Sequence, residues 1–242
     1  MKTVLVIGIG TGSAEHMTVA AIEALNRADV LFVPDKGAAK ADLADVRRDI
    51  IARFVRHEDP RLISYSVPRR NAEGPDYRRG VADWHAELAD IFALLIADIP
   101  PGSAGGFLVW GDPGLYDSTL RILEQMAEPI AVEVIPGITA IQALTAAHGI
   151  ALNRVGQPVL ITTGRQLGSV ETDTVVMLDG RMAFLEADPE LDIYWGAYLG
   201  TPDQILVAGR LGEVAQTIVQ LRNSARERHG WIMDTYLLRR PE

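Results

Sequence analysis

Apolar positions along this chain follow two rhythms. Short continuous apolar runs at 3–7, 30–33, 62–67 and 106–110 have the length of buried strands. Between them, apolar residues recur at steps of three and four. Met17, Ala21, Ala24, Leu25 and Ala28 form the first such stripe. Val46, Ile50 and Phe54 form the second, on a helix predicted over 42–54. Val81, Trp84, Leu88, Phe92 and Leu95 form the third, on a long amphipathic helix over 77–99. Pro34 closes the second strand and Pro100-Pro101-Gly102 ends the long helix. Strands separated by helices predict a mostly parallel sheet.

The alternation continues through a helix at 118–126, a strand at 132–135 and a helix at 140–148, then changes. Strand-like runs at 159–162, 174–178, 191–199, 205–208 and 231–238 follow, with a single helix at 213–223. A strand-rich stretch of this kind predicts a mixed sheet. The expected fold is therefore two α/β domains, the first with a parallel sheet and the second with a mixed one. The boundary is expected near 113–118, giving domains 1–115 and 116–242.

Composition narrows the partners. The 242 residues carry a formal charge of −9, which argues against attraction to nucleic acid or to an anionic membrane. There is no cysteine, so neither disulfides nor thiolate metal sites are available, and a reducing cytoplasm is the expected setting. No apolar run approaches the roughly 20 residues that span a bilayer. Residues 1–3 lead straight into a strand, so no leader is expected at this end. No metal site is expected.

Three glycine-containing segments carry the chemistry. Gly8-Ile9-Gly10-Thr11-Gly12, Gly111-Asp112-Pro113-Gly114-Leu115-Tyr116 and Pro136-Gly137-Ile138-Thr139-Ala140 each follow an apolar strand-like run. Loops at the carboxyl ends of parallel strands are where open α/β sheets bind ligands. The first segment alone also suits a plain tight turn or a dinucleotide turn, with Asp35 in the place of a ribose carboxylate. Its third glycine, however, comes one residue too early for Gly-x-Gly-x-x-Gly. A nicotinamide oxidoreductase, and a binding module without catalysis, remain the readings from other classes.

The trio in this order resembles the tetrapyrrole methylases, enzymes that methylate porphyrin- and corrin-type macrocycles with S-adenosyl-L-methionine. The resemblance covers almost the whole chain. It implies a cofactor in the cleft between the two domains, S-adenosyl-L-homocysteine as product, and a homodimer. It places cofactor contacts at Trp110, Gly111, Asp112, Leu115, Thr139 and Ala140, and further ones at Met177, Leu178, Tyr198 and Gly200. The N-terminal loop, with Gly10, Thr11 and Gly12, would face the macrocycle. The family carries Pro and Asp where this chain has Thr11 and Ser13, which removes a carboxylate from that loop.

Long matching stretches around Trp110–119 and 193–202 are similar to the branch of the family that serves aerobic cobalamin synthesis. That similarity implies methyl transfer to C-1 of precorrin-5 with loss of the C-20 acetyl group as acetate. A sister methylase acting on another precorrin, uroporphyrinogen, diphthamide or ribosomal RNA is the alternative within the fold. Water must be activated for deacetylation, and His16, Asp35, Tyr116 and Asp117 are the candidate bases near the expected cleft. A substrate rich in carboxylates calls for guanidinium groups. Arg69, Arg70, Arg78 and Arg79 flank 71–75, and Arg165 follows Thr162-Thr163-Gly164. Arg69, Arg70 and Arg165 are the expected substrate ligands.

Overall fold

The structure is a computed structural model. It describes residues 1–35, 41–57, 60–68 and 77–241, with the side chains of 41–44 and 77–78 left aside. It divides into two compact units, Met1–Ile138 and Thr139–Glu242.

The first unit is built on five parallel strands: β1 (Lys2–Gly8), β2 (Val30–Asp35), β3 (Leu62–Ser66), β4 (Ala104–Val109) and β5 (Ile130–Ile135). Their order is β3-β2-β4-β1-β5. Alternate side chains of a strand face opposite sides, and here both sides are apolar. Leu5, Ile7 and Leu31 are buried with Ala21, Leu25 and Ile50 from α1 (Val19–Arg27) and α2 (Ala41–Phe54). Val4, Val6, Phe32 and Phe107 are buried with Leu88, Phe92 and Ile96 from α3 (Tyr77–Ala97) and with Ile122 and Leu123 from α4 (Thr119–Leu123). The sheet is thus covered on both faces. This is why its central strands read as continuous apolar runs rather than alternating ones.

The first unit extends beyond the boundary expected at 115/116, as far as Ile138. The cause is pairing. β5 lies beside β1 in register from Lys2↔Ile130 to Ile7↔Ile135. The strand expected on the far side of that boundary therefore completes the first sheet. α4 is also shorter than predicted: Glu124 N–H closes the last full turn on the Leu120 carbonyl, and the chain then continues in i→i−3 bonds, Gln125 N–H to the Ile122 carbonyl and Met126 N–H to the Leu123 carbonyl.

The second unit begins with α5 (Ala140–His148). Its mixed sheet has the order β6-β7-β10-β8-β9, from β6 (Val159–Thr163), β7 (Asp173–Met177), β8 (Asp192–Ala197), β9 (Ile205–Arg210) and β10 (Asp234–Arg239). β6 and β7 are parallel, and the other neighbours are antiparallel. α6 (Leu211–His229) packs Leu211, Ile218 and Ala225 with Trp195, Tyr236 and Phe184. It runs to the left-handed cap Gly230, longer at both ends than predicted. α5 lies so close to β8 that a Cβ on Gly196 would meet Leu144 Cδ1 at 2.9 Å. Among the described residues no helix is long and apolar enough to cross a membrane.

Candidate functional site

In the first unit the three glycine segments meet. Residue 10 pairs with residue 111 in an isolated antiparallel bridge, with Gly111 N–H donating to the Gly10 carbonyl at 2.8 Å and Gly10 N–H to the Gly111 carbonyl at 3.3 Å. Asp112 ties in the third segment. Its Oδ2 accepts the Gly137 N–H at 2.9 Å, and its Oδ1 accepts the Gly114 N–H at 2.7 Å. Gly137 has no room for a side chain: a Cβ there would lie 2.1 Å from the Gly111 carbonyl oxygen. Gly8 closes the same contact, since its Cβ would lie 2.6 Å from Gly137 N.

Topology puts this junction where open α/β sheets bind their ligands. The chain leaves β1 toward β2, on the far side of β4, and leaves β4 toward β5, on the far side of β1. The two connections part in opposite directions, and the crevice outside the strand ends at such a switch point is the usual site in open α/β sheets. At Gly111, with φ +70°, an added Cβ would meet nothing within 4 Å, so the space beside this backbone is open.

The expected catalytic residues separate on inspection. His16 is half-buried and pairs its Nδ1 with Thr11 Oγ1 at 2.9 Å. Burial pushes its pKa down, with Glu15 pulling the other way, which favours the neutral ring. Its Cβ fills the space that a side chain on Gly10 would need. Asp117 spends Oδ1 on the Thr119 N–H at 2.7 Å. Tyr116 is exposed and holds φ +52°. Asp35 stands at the exposed end of β2, on the far side of β4 from β1. Arg69 and Arg70 lie outside the described residues.

Arg47 was not singled out by sequence reasoning. It is only 5% exposed, donates Nε–H to the Leu108 carbonyl at 3.3 Å, and sets its guanidinium 5.9 Å from the Trp110 ring centroid. Burial pushes its pKa down, while Tyr65 and Asp117 act in the opposite direction; burial likewise pushes the Tyr65 phenol upward. The available signal was a charge at position 47 within a helix whose apolar stripe includes Val46 and Ile50.

In the second unit the expected residues gather at one sheet edge. Strands β6, β7 and β8 all end there, because β7 and β8 both run antiparallel to β10. This places Met177 at the end of β7, and Arg165, Leu178, Tyr198 and Gly200 in loops at the same edge. Leu178 is 62% exposed with φ +53°, an apolar side chain presented to solvent on a backbone that leucine disfavours. Tyr198 differs: its side chain is buried, and its hydroxyl donates to the Trp231 carbonyl at 2.6 Å. It shapes the loop that carries Gly200. Thr139 caps α5 by accepting the Ile141 N–H at 3.1 Å, and Ala140 follows it, half-exposed.

A buried polar network supports the β7 loop. Asp179 Oδ2 accepts from the Tyr236 hydroxyl at 2.7 Å and from Ala183 N–H at 2.7 Å. The Asp179 carbonyl accepts from Arg222 at 2.6 Å, and Arg222 Nε–H reaches Asp234 Oδ2 at 2.9 Å. Trp195 Nε1–H donates to the same Asp234 oxygen at 3.0 Å. Gly164 is required beside this network, since a Cβ there would meet Asp179 Oδ1 at 2.3 Å.

Comparison with known proteins agrees with this geometry. The family model described as Tetrapyrrole (Corrin/Porphyrin) Methylases matches residues 3–215. The chain is 54% identical to a precorrin-6A synthase [deacetylating] of a Sinorhizobium species, covering 99% of this chain and 96% of that protein. A crystal structure of a cobalamin-synthesis-related protein (CobF) of Corynebacterium diphtheriae is 43% identical over the full length of both chains, with a TM-score of 0.86. A uroporphyrin-III C-methyltransferase of Thermus thermophilus, solved with S-adenosyl homocysteine, has a TM-score of 0.61 at 19% identity, over 98% of this chain and 91% of that one. That last likeness speaks for the fold alone. With its parallel first sheet, its mixed second sheet and its junction of three glycine segments, this chain belongs to the tetrapyrrole (corrin/porphyrin) methylases.

Proposed function

We propose that this protein is an S-adenosylmethionine-dependent C-methyltransferase of cobalamin biosynthesis. It methylates C-1 of precorrin-5 and releases the C-20 acetyl group as acetate, giving precorrin-6A and S-adenosylhomocysteine. The observation that carries the reading is 54% identity, across 99% of the chain, to a protein named for that activity.

The residues fit the cofactor. A sulfonium with an amino-acid head group and an adenine needs apolar surface with a few well-placed polar groups. Open space beside Gly111 and the outward Leu178 are features of that kind. Trp110, Gly111, Asp112 and Leu115 in the first unit, with Thr139, Ala140, Met177, Leu178 and Gly200 in the second, are the proposed contacts. Tyr198 acts through the shape of its loop. When bound, S-adenosylmethionine supplies an activated methyl group to an electron-rich carbon, so no protein nucleophile is needed for that transfer. The chain contributes proximity and alignment, worth about 7–11 kcal/mol in well-oriented reactions.

Gly10, Thr11 and Gly12 are the proposed macrocycle-facing backbone, and Arg69, Arg70 and Arg165 the proposed carboxylate ligands. The same reading expects a cytoplasmic homodimer, for which light scattering measures the mass. Titration calorimetry with S-adenosylhomocysteine and with NADH, followed by product mass from precorrin-5, tests the assignment. Binding of the first alone, with methylated and deacetylated product, is expected. Binding of NADH in its place would return the chain to the oxidoreductase reading.

A further inference from the structure

Two histidines of the first unit touch a hydroxyl, and they differ in accessibility. His16 pairs with Thr11, which is 3% exposed and therefore closed to a bulky acyl donor. His85, on α3, places Nε2 2.8 Å from Ser118 Oγ, and both residues are half-exposed. Ser118 stands two residues past the glycine segment Gly111–Tyr116.

Ser118 stands where a helix-capping serine would stand, yet its hydroxyl makes no cap bond to α4. Asp117 takes the Thr119 N–H instead, at 2.7 Å. The serine hydroxyl is turned to the imidazole. Around the ring lie Trp84, with centroids 5.5 Å apart, and Arg121, whose guanidinium donates to the Asp117 carbonyl at 2.8 Å. Burial and the positive charge of Arg121 both push the His85 pKa down. A neutral imidazole beside a hydroxyl is the arrangement in which a serine becomes a nucleophile.

We propose that Ser118 and His85 form an acyl-transfer pair: Ser118 Oγ takes the acetyl group from the macrocycle while His85 Nε2 takes the hydroxyl proton. The identity of the acyl donor rests on the function proposed above. In the first step the Oγ–carbonyl bond forms and the bond between the acetyl carbon and the macrocycle breaks. The electron pair of that bond stays on the macrocycle carbon, which becomes the nucleophile for the methyl group. In the second step water attacks the acetyl-serine, the ester bond breaks, and Ser118 regains a proton. Acetate leaves, and over the full cycle two protons pass to solvent.

Incubation with p-nitrophenyl acetate, followed by intact mass and peptide mapping, tests the pair without any corrin. A single acetyl group on Ser118 is expected. It is absent from Ser118→Ala and forms about 100-fold more slowly in His85→Gln. With precorrin-5 and S-adenosylmethionine, Ser118→Ala should release acetate about 100-fold more slowly while its affinity for S-adenosylhomocysteine is kept. Ser118→Cys should retain acetylation, which separates loss of the nucleophile from loss of fold. Acetylation elsewhere, or acetate release from Ser118→Ala at the parent rate, overturns the proposal and leaves the deacetylating function standing. Acetyl-Ser118 from the ester with no acetate from precorrin-5 keeps the pair and overturns the substrate.

Discussion

Gly137→Ala puts a carbon where three backbone segments already touch. The new Cβ would stand 2.1 Å from the Gly111 carbonyl oxygen and 2.8 Å from the Gly8 carbonyl carbon, whereas ordinary contact begins near 3.4 Å. The segments must part by about 1 Å. None of the atoms met belongs to a flexible side chain, so a rotamer change gives no relief. Gly8 is held by β1, and Gly111 by its bridge to Gly10. Overpacking of this kind costs about 1–3 kcal/mol. Parting the segments also strains the Asp112–Gly137 hydrogen bond, and bonds to charged groups contribute about 1.5–3 kcal/mol. A combined loss of about 3–5 kcal/mol is expected, a large share of the roughly 5–15 kcal/mol that holds a domain folded. Urea denaturation of Gly137→Ala beside Gly168→Ala measures it. Gly168 has open space around it and no left-handed φ, so alanine there should be neutral or stabilise by up to about 1 kcal/mol. Equal stability of the two variants would refute the junction.

Other outcomes follow from the same geometry. Arg222→Met leaves Asp234 buried with its cationic partner gone and should cost about 3–5 kcal/mol in denaturation; adding Asp234→Leu should recover much of that. Leu178→Asn suits the left-handed backbone but removes apolar surface, so stability should hold or rise while S-adenosylhomocysteine binds about ten-fold more weakly by calorimetry. Unchanged affinity would remove Leu178 from the site. His16 and His85 both have pKa values below the ordinary 6.5 in the folded state. Well above pH 6.5 both are neutral whether folded or unfolded. As pH falls below 6.5 the unfolded chain takes up protons first, so stability should fall with acid from that point, and His16→Gln should flatten the fall. A melting temperature flat between pH 7.5 and 5.5 would contradict the burial of these rings.

The two rhythms of the sequence were enough for nearly every strand and helix, because both faces of the first sheet and one face of each helix are buried. The domain boundary was not legible. What assigns β5 to the first sheet is its pairing with β1, and Ile130 and Lys2 are too far apart in sequence for any local pattern to link them. The site was legible as glycine segments, since Gly8, Gly111 and Gly137 each permit an approach that a side chain forbids. The work of Asp112 was not. It read as a cofactor ligand, and the structure shows it first as the tie between Gly114 and Gly137. Asp179, Arg222, Asp234 and Tyr236 meet across three elements, and singly they read as a turn aspartate, a helix-surface arginine and two strand residues. Ser118 and His85, 33 positions apart, carry no motif at all.

The central claim is that one protein couples methyl transfer to loss of an acetyl group. Incubation with precorrin-5 and S-adenosylmethionine, with acetate and S-adenosylhomocysteine counted in the same sample, tests it most directly. Equal molar yields of the two are expected. S-adenosylhomocysteine without acetate, or neither product from protein that is folded, would contradict it.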